Sequence, residues 1–125
     1  MRINENKYSK TEDTLLVWGF IIESSEHIAS AEAGLLKLRD KPNDREVLNR
    51  ISFAFHAITR TADFLDFTEI GSLARSTEDL LDFAHKGRQV LGGENTSVVF
   101  KSIDILKKML AALEESLEAD KSKPA

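Results

Sequence analysis

The chain has three imidazoles, His27, His56 and His85, each a candidate for chemistry at neutral pH. There are no cysteines, so thiolate attack, disulfides and cysteine-based metal sites are all excluded. His56 stands out by its setting in "FHAITRTADFLDFTE", residues 55–69. It follows the apolar Phe55 in a helical pattern, which puts its ring on the flank of the helix, partly against neighbours and partly in water. Thr59 and Arg60 lie three and four residues on, over the same face. A tight turn is expected near Phe67, with His56 eleven residues before it and Glu78 eleven after. In an antiparallel hairpin those two positions share a level, about 16 Å from the turn. A carboxylate accepting from Nδ1–H would fix the tautomer and leave Nε2 with a free lone pair facing solvent. Such an imidazole is a nucleophile. The same mirror rule sets Thr59 opposite Arg75 and Arg60 opposite Ala74, so two guanidinium groups flank the ring, as a site that must hold a phosphoryl group requires. Spacing alone is equally compatible with a solvated charged face.

Helices must carry these residues. Apolar positions recur at three- and four-residue steps in four stretches. The first runs through Val17, Ile21, Ile28, Ala31, Leu35 and Leu38, with Ser24 filling a gap. The second has Leu48, Ile51, Phe55, Ile58, Ala62 and Leu65. The third has Ile70, Leu73, Ala74, Thr77, Leu81 and Ala84, and the fourth Val99, Ile103, Leu106, Leu110, Leu113 and Leu117. "DKPND" (40–44) offers a proline and an Asn or Asp cap before Arg45-Glu46. Thr68 suits a cap before Glu69, whose charge favours a helix N-terminus. "KGRQVLGGENTS" (86–97), with three glycines, is the longest connection. The pattern predicts an all-α, antiparallel up-down four-helix bundle, with room for an extra short terminal helix. Residues 1–12 are expected to be a flexible N-terminal segment, 13–119 the domain, and 120–125 ("DKSKPA") a tail or linker.

Composition narrows the function classes. A chain of 125 residues with 42% hydrophobic and 30% charged residues is one globular domain. A net charge of −4 gives a nucleic-acid partner no electrostatic support. "TLLVWGFII" (14–22) is far shorter than the ~20 residues of a membrane span. Acidic residues on both sides of it argue against a signal peptide, and it reads as the start of a buried helix. The lack of cysteines is compatible with a reducing cytoplasm, the expected location.

The sequence resembles the histidine phosphotransfer (HPt) domain family, most nearly the N-terminal phosphotransfer domain of CheA-type chemotaxis histidine kinases. The resemblance covers roughly Phe20 to Leu117 and is carried by "FIIESSEHIASAEAGLLKL" and by "PNDREVLNRISFAFHAITRTADFLDFTEIGSLARSTEDLLD". His56, Ala62, Phe64-Leu65 and Glu78-Asp79-Leu80-Leu81-Asp82 match family positions. The resemblance implies a phosphocarrier without a self-contained catalytic site. His56 would take a phosphoryl group from a histidine kinase catalytic domain, in cis or in trans, and pass it to an aspartate of a response-regulator receiver domain. ATP and Mg²⁺ would come with those partner domains, and no cofactor is expected in this one. It further implies Glu78 as the Nδ1 partner; beside it, the residues' own placement suggests Arg60, Arg75 and Thr59 as phosphoryl-stabilising in place of the family lysine, and Ser52, Phe53 and Asp63 as docking surface. The chain departs from the family pattern at three positions: Thr59 stands where the family has lysine, Arg60 where it has glycine, and Arg75 at a third-helix position that is often histidine. The alternative is a degenerate module of the same fold that docks a receiver or kinase without carrying phosphate. A di-iron bundle would need Glu-x-x-His on two helices with further inward carboxylates. Asp82-x-x-His85 occurs once and Glu23 precedes His27 by four residues, so no metal site is expected, and His27 and His85 read as surface residues.

Overall fold

The computed structural model describes residues 10–41, 43–85 and 94–122, and all regular structure among them is helical. The helices are α1 (Lys10–Leu38), α2 (Arg45–Phe64), α3 (Thr68–His85) and α4 (Glu94–Ser122). The polar stretch 1–9, Pro42, most of the glycine-bearing connection (86–93) and residues 123–125 lie outside the described residues. Helix α1 begins at Lys10, and α4 runs from Glu94 through Ser122.

The order around the bundle is α1, α2, α3, α4, with α4 closing against α1. Lys107 Nζ reaches Glu32 Oε2 at 2.7 Å, and the Arg39 guanidinium sits 6.0 Å from the centre of the Phe100 ring. The later residue of α1 meets the earlier residue of α4, so these two helices are antiparallel. The predicted stripes converge on one core: Val17, Ile21, Ile28, Ala31, Leu35, Leu48, Ile51, Phe55, Ile58, Ala62, Ala74, Leu81, Val99, Ile103 and Leu106 are all buried. Phe20, Val47 and Ala54 join them. The segment 14–22 is not buried on all sides as its composition suggests: Val17, Phe20 and Ile21 point inward, whereas Leu15, Leu16 and Ile22 are exposed. A single helix in a bundle can turn only part of its circumference to the core, whatever its composition.

Two junctions set the α2 hairpins. Asp44 caps α2, its Oδ1 accepting from the Val47 N–H at 3.2 Å. At the other end the Phe67 N–H donates to the Ala62 carbonyl (2.8 Å) and the Asp66 N–H to the Asp63 carbonyl (3.2 Å). This paired closure is a Schellman motif, and Asp66 takes the left-handed position at φ 67° where glycine is commonest. Phe67 then packs on Phe20 of α1, ring centres 5.2 Å apart. The expected Thr68 cap is displaced by one residue. Thr68 is already helical, and the Gly71 N–H donates to the Phe67 carbonyl (2.9 Å), making Phe67 the capping position.

Close approach of α1 to α2 depends on Gly34. A Cβ there would stand 2.7 Å from Ile51 Cγ1 and 3.0 Å from its Cδ1, and Ile51 is fully buried. Gly34→Ala therefore sets a helix-propensity gain of about 1 kcal/mol against overpacking of about 1–3 kcal/mol. We expect a net loss of stability of up to about 2 kcal/mol, read as a lower denaturant midpoint with an unchanged m-value.

Candidate functional site

The α2–α3 hairpin supplies every residue of the site. The Schellman closure fixes where α3 starts relative to α2, and the eleven-residue symmetry about Phe67 then brings His56 and Glu78 to one level. His56 Nδ1 and Glu78 Oε2 are 2.6 Å apart, with the Nδ1–H donating to the carboxylate. The His56 side chain is 53% exposed and that of Glu78 25%. The carboxylate is thus backed by protein while the far edge of the ring faces water. With Nδ1 occupied as a donor, Nε2 carries the free lone pair.

The other expected residues divide. Arg60 is exposed and has no hydrogen-bond or ion-pair partner among the described residues. It lies one turn from His56 on the outer face of α2. Arg75 is exposed too, but its Nη2 is engaged by Asp63 Oδ2 in an ion pair whose members are both half-exposed. The sequence reading sent Arg75 to the ring and Asp63 to the docking surface. The structure joins them to each other, because Asp63 lies on the α3 side of α2 at the level of Gly71. Thr59 does not stand beside the imidazole. It is 6% exposed, and its hydroxyl donates to the Phe55 carbonyl at 2.9 Å. Three residues from His56 is far enough around the helix to turn this side chain inward, so its role as a phosphoryl contact is not supported by its placement.

Around the site, Phe53 is 65% exposed and Phe64 is also exposed, one on each side of Arg60 along the outer face of α2. Ser52 is half-buried. His27 of α1 is half-buried rather than a free surface group. Its ring meets Phe53 edge-on with centres 6.1 Å apart. His85 ends α3, and its side chain lies outside the described residues. Among the described residues no group of three or more His, Cys, Asp or Glu is placed to hold a metal ion, and no helix is long and apolar enough to cross a membrane. Sequence reasoning missed the Asp63–Arg75 pair. Its signal was available, since Asp63 and Arg75 carry opposite charges on facing sides of the same hairpin.

Fold and site together define a class: an antiparallel helical bundle displaying one carboxylate-held histidine on a hairpin surface. Residues 16–119 match the profile of the Hpt domain family, and the chain belongs to that family. It is 31% identical over 97 residues to the sensor histidine kinase CheAY of Helicobacter pylori, covering 78% of this chain and 12% of that protein. It is 26% identical over 102 residues to the chemotaxis protein CheA of Halobacterium salinarum, covering 82% of this chain and 15% of that protein. Among solved structures, the CheA phosphotransferase domain from Thermotoga maritima superposes with a TM-score of 0.77 at 22% identity, over 80% of this chain and 95% of that one. This likeness shows the same helical-bundle fold. The chain thus spans less than a sixth of the length of these curated relatives. Membership places it among the phosphocarriers of two-component signalling.

The geometry predicts a single tautomer at His56. In ¹⁵N-resolved imidazole spectra, at a pH where the ring is neutral, Nδ1 should show the protonated shift and Nε2 the unprotonated one. Glu78→Ala should collapse both toward the averaged values of a free histidine.

Proposed function

We propose that His56 Nε2 accepts a phosphoryl group from the ATP-binding domain of a histidine kinase, or from a phosphorylated receiver, and delivers it to an aspartate of a response-regulator receiver domain in the cytoplasm. The observation that carries this reading is the 2.6 Å contact from Nδ1 to Glu78 on a ring that is half exposed. In the loading step the Nε2 lone pair forms a bond to the terminal phosphorus of ATP held by the kinase. The bond to the bridging oxygen breaks and ADP leaves. In the unloading step a carboxylate oxygen of the receiver attacks phosphorus, the P–N bond breaks, and its electron pair returns to Nε2. Phosphorylation leaves the ring with a formal positive charge shared with Nδ1–H, and Glu78 is placed to stabilise that charge by a charge-assisted hydrogen bond. Arg60, one turn away and without a partner among the described residues, is a cation available to the phosphoryl oxygens.

Bundle and partner divide the work. The domain contributes a nucleophile of defined tautomer on a rigid surface. Phosphoryl activation and Mg²⁺ would come from the partner domains. The exposed Phe53 and Phe64 on either side of Arg60 supply an apolar contact for a partner over the histidine. The same two rings favour the second reading, in which the hairpin docks a partner without carrying phosphate.

Incubation with phosphoramidate, which needs no cognate kinase, separates the two. We expect one acid-labile phosphate, mapped to His56 and absent from His56→Gln, with His27 and His85 unlabelled. Glu78→Ala should label about tenfold more slowly, a loss in the lower range for a hydrogen bond to a charged group. No labelling, or equal slow labelling of all three histidines, would favour the docking module.

A further inference from the structure

We infer that Asp63, seated on Gly71, holds Arg75 away from the phosphoryl group and thereby shortens the life of phosphorylated His56. The inference rests on the phosphocarrier reading above and adds to it a residue that sets how long the group is kept.

Three observations converge on it. First, of the two arginines near His56, Arg75 has its guanidinium engaged by the Asp63 carboxylate, whereas Arg60 has no partner among the described residues. Second, Arg75 occupies a level between two anionic positions. On α3 it stands three residues from Glu78, which marks the level of His56, and four from Gly71, which marks that of Asp63. Those separations are about 4.5 Å and about 6 Å along the helix. A long, flexible arginine side chain placed between two such anions can turn to either. Asp63 draws it toward the α2–α3 turn, away from the ring.

Third, the Asp63 carboxylate has a place made for it. Its Oδ1 would lie 2.7 Å from a Cβ at position 71, so a side chain there would push the carboxylate from its present seat against α3, where Arg75 meets it. Gly71 is buried in the middle of the first turns of a helix, where glycine is a poor helix former, and its flexibility serves no turn there. The nearest atom to the space that a side chain at Gly71 would fill is the Asp63 carboxylate, followed by Ala62 Cβ at 3.6 Å.

The chemistry follows from competition for one guanidinium. A phosphoryl group on Nε2 is more highly charged than a carboxylate and offers three oxygens, so it competes for Arg75 by bidentate, charge-assisted hydrogen bonds. Every bit of that stabilisation must first displace Asp63. A phosphohistidine neutralised by Arg60 alone is a better donor than one gripped by both cations. Asp63 thus tunes the domain toward handing the group on rather than storing it. Asp63 is a positioning residue in this scheme, acting through Arg75 and not on the reacting atoms.

The test measures the lifetime of phosphoramidate-labelled protein after the reagent is removed, by intact mass. In the decay, a water oxygen attacks phosphorus, the P–N bond breaks with its electron pair returning to Nε2, and orthophosphate leaves with the water's protons, while the ring returns to its neutral Nδ1–H form. Asp63→Asn should lengthen the lifetime about two- to fivefold, the range that an exposed ion pair commands. Gly71→Ala displaces the carboxylate with no change of charge, and it should lengthen the lifetime in the same direction. Both effects should vanish when combined with Arg75→Gln. Unchanged lifetimes in both variants would overturn the inference while leaving the phosphocarrier function intact. So would a lengthening that survives in the Arg75→Gln background, because Asp63 would then be acting through its own charge. Failure of the parent protein to label at His56 would overturn the phosphocarrier function, and this inference with it.

Discussion

The Schellman closure after α2 is the constraint on which the site depends. Two backbone hydrogen bonds, from Phe67 to Ala62 and from Asp66 to Asp63, end α2 at one residue and start α3 almost at once. A slip of one residue in that turn would rotate α3 by about 100° relative to α2. Glu78 would then face another direction, and the imidazole would lose its partner. The turn is itself held from below, because Phe67 is anchored on Phe20 of α1. A contact at the foot of the bundle therefore governs the orientation of a nitrogen eleven residues up the hairpin.

This arrangement divides the bundle by role. Helices α2 and α3 display the histidine, its carboxylate and both arginines, while α1 and α4 bury the opposite sides of that hairpin and keep it rigid. Gly34 lets α1 approach until Ile51 fills the gap, and the Glu32–Lys107 and Arg39–Phe100 contacts tie α1 to α4. These last two are exposed pairs and add little stability on their own. The common core, with Phe20, Phe55, Leu35, Ile58 and Leu106 near its centre, accounts for the rigidity. A histidine that presents one nitrogen in one direction needs such a support.

Electrostatics distinguishes the described residues around His56 from a merely charged surface. Glu78 is the more buried member of its pair and is committed to the ring. Asp63 and Arg75 are committed to each other, and Arg60 to nothing. The family's lysine–glycine pair is replaced by Thr59, whose hydroxyl is spent on the helix backbone, and by Arg60. The cation has moved one position around the helix, onto the outer face between Phe53 and Phe64, where a partner would meet it directly.

Most of the fold was legible in the sequence, because the core stripes of four helices are a local, periodic signal that burial enforces residue by residue. The level of His56 with Glu78 was legible too, since a tight antiparallel hairpin makes levels a matter of counting from Phe67. What counting could not supply was azimuth and competition. Whether Thr59 points out or in depends on some tens of degrees of helix rotation, set by how Phe55 and Ile58 seat in the core. Whether Leu15 and Ile22 are buried depends on which face of α1 the other helices cover. Whether Arg75 turns to His56 or to Asp63 depends on where the Asp63 carboxylate lies against α3. The sequence by itself determined the helices, their order and the pairing of one histidine with one glutamate. The tertiary structure decided which cation is left free, because that is settled by distances between side chains on different helices, and no period along the chain records them.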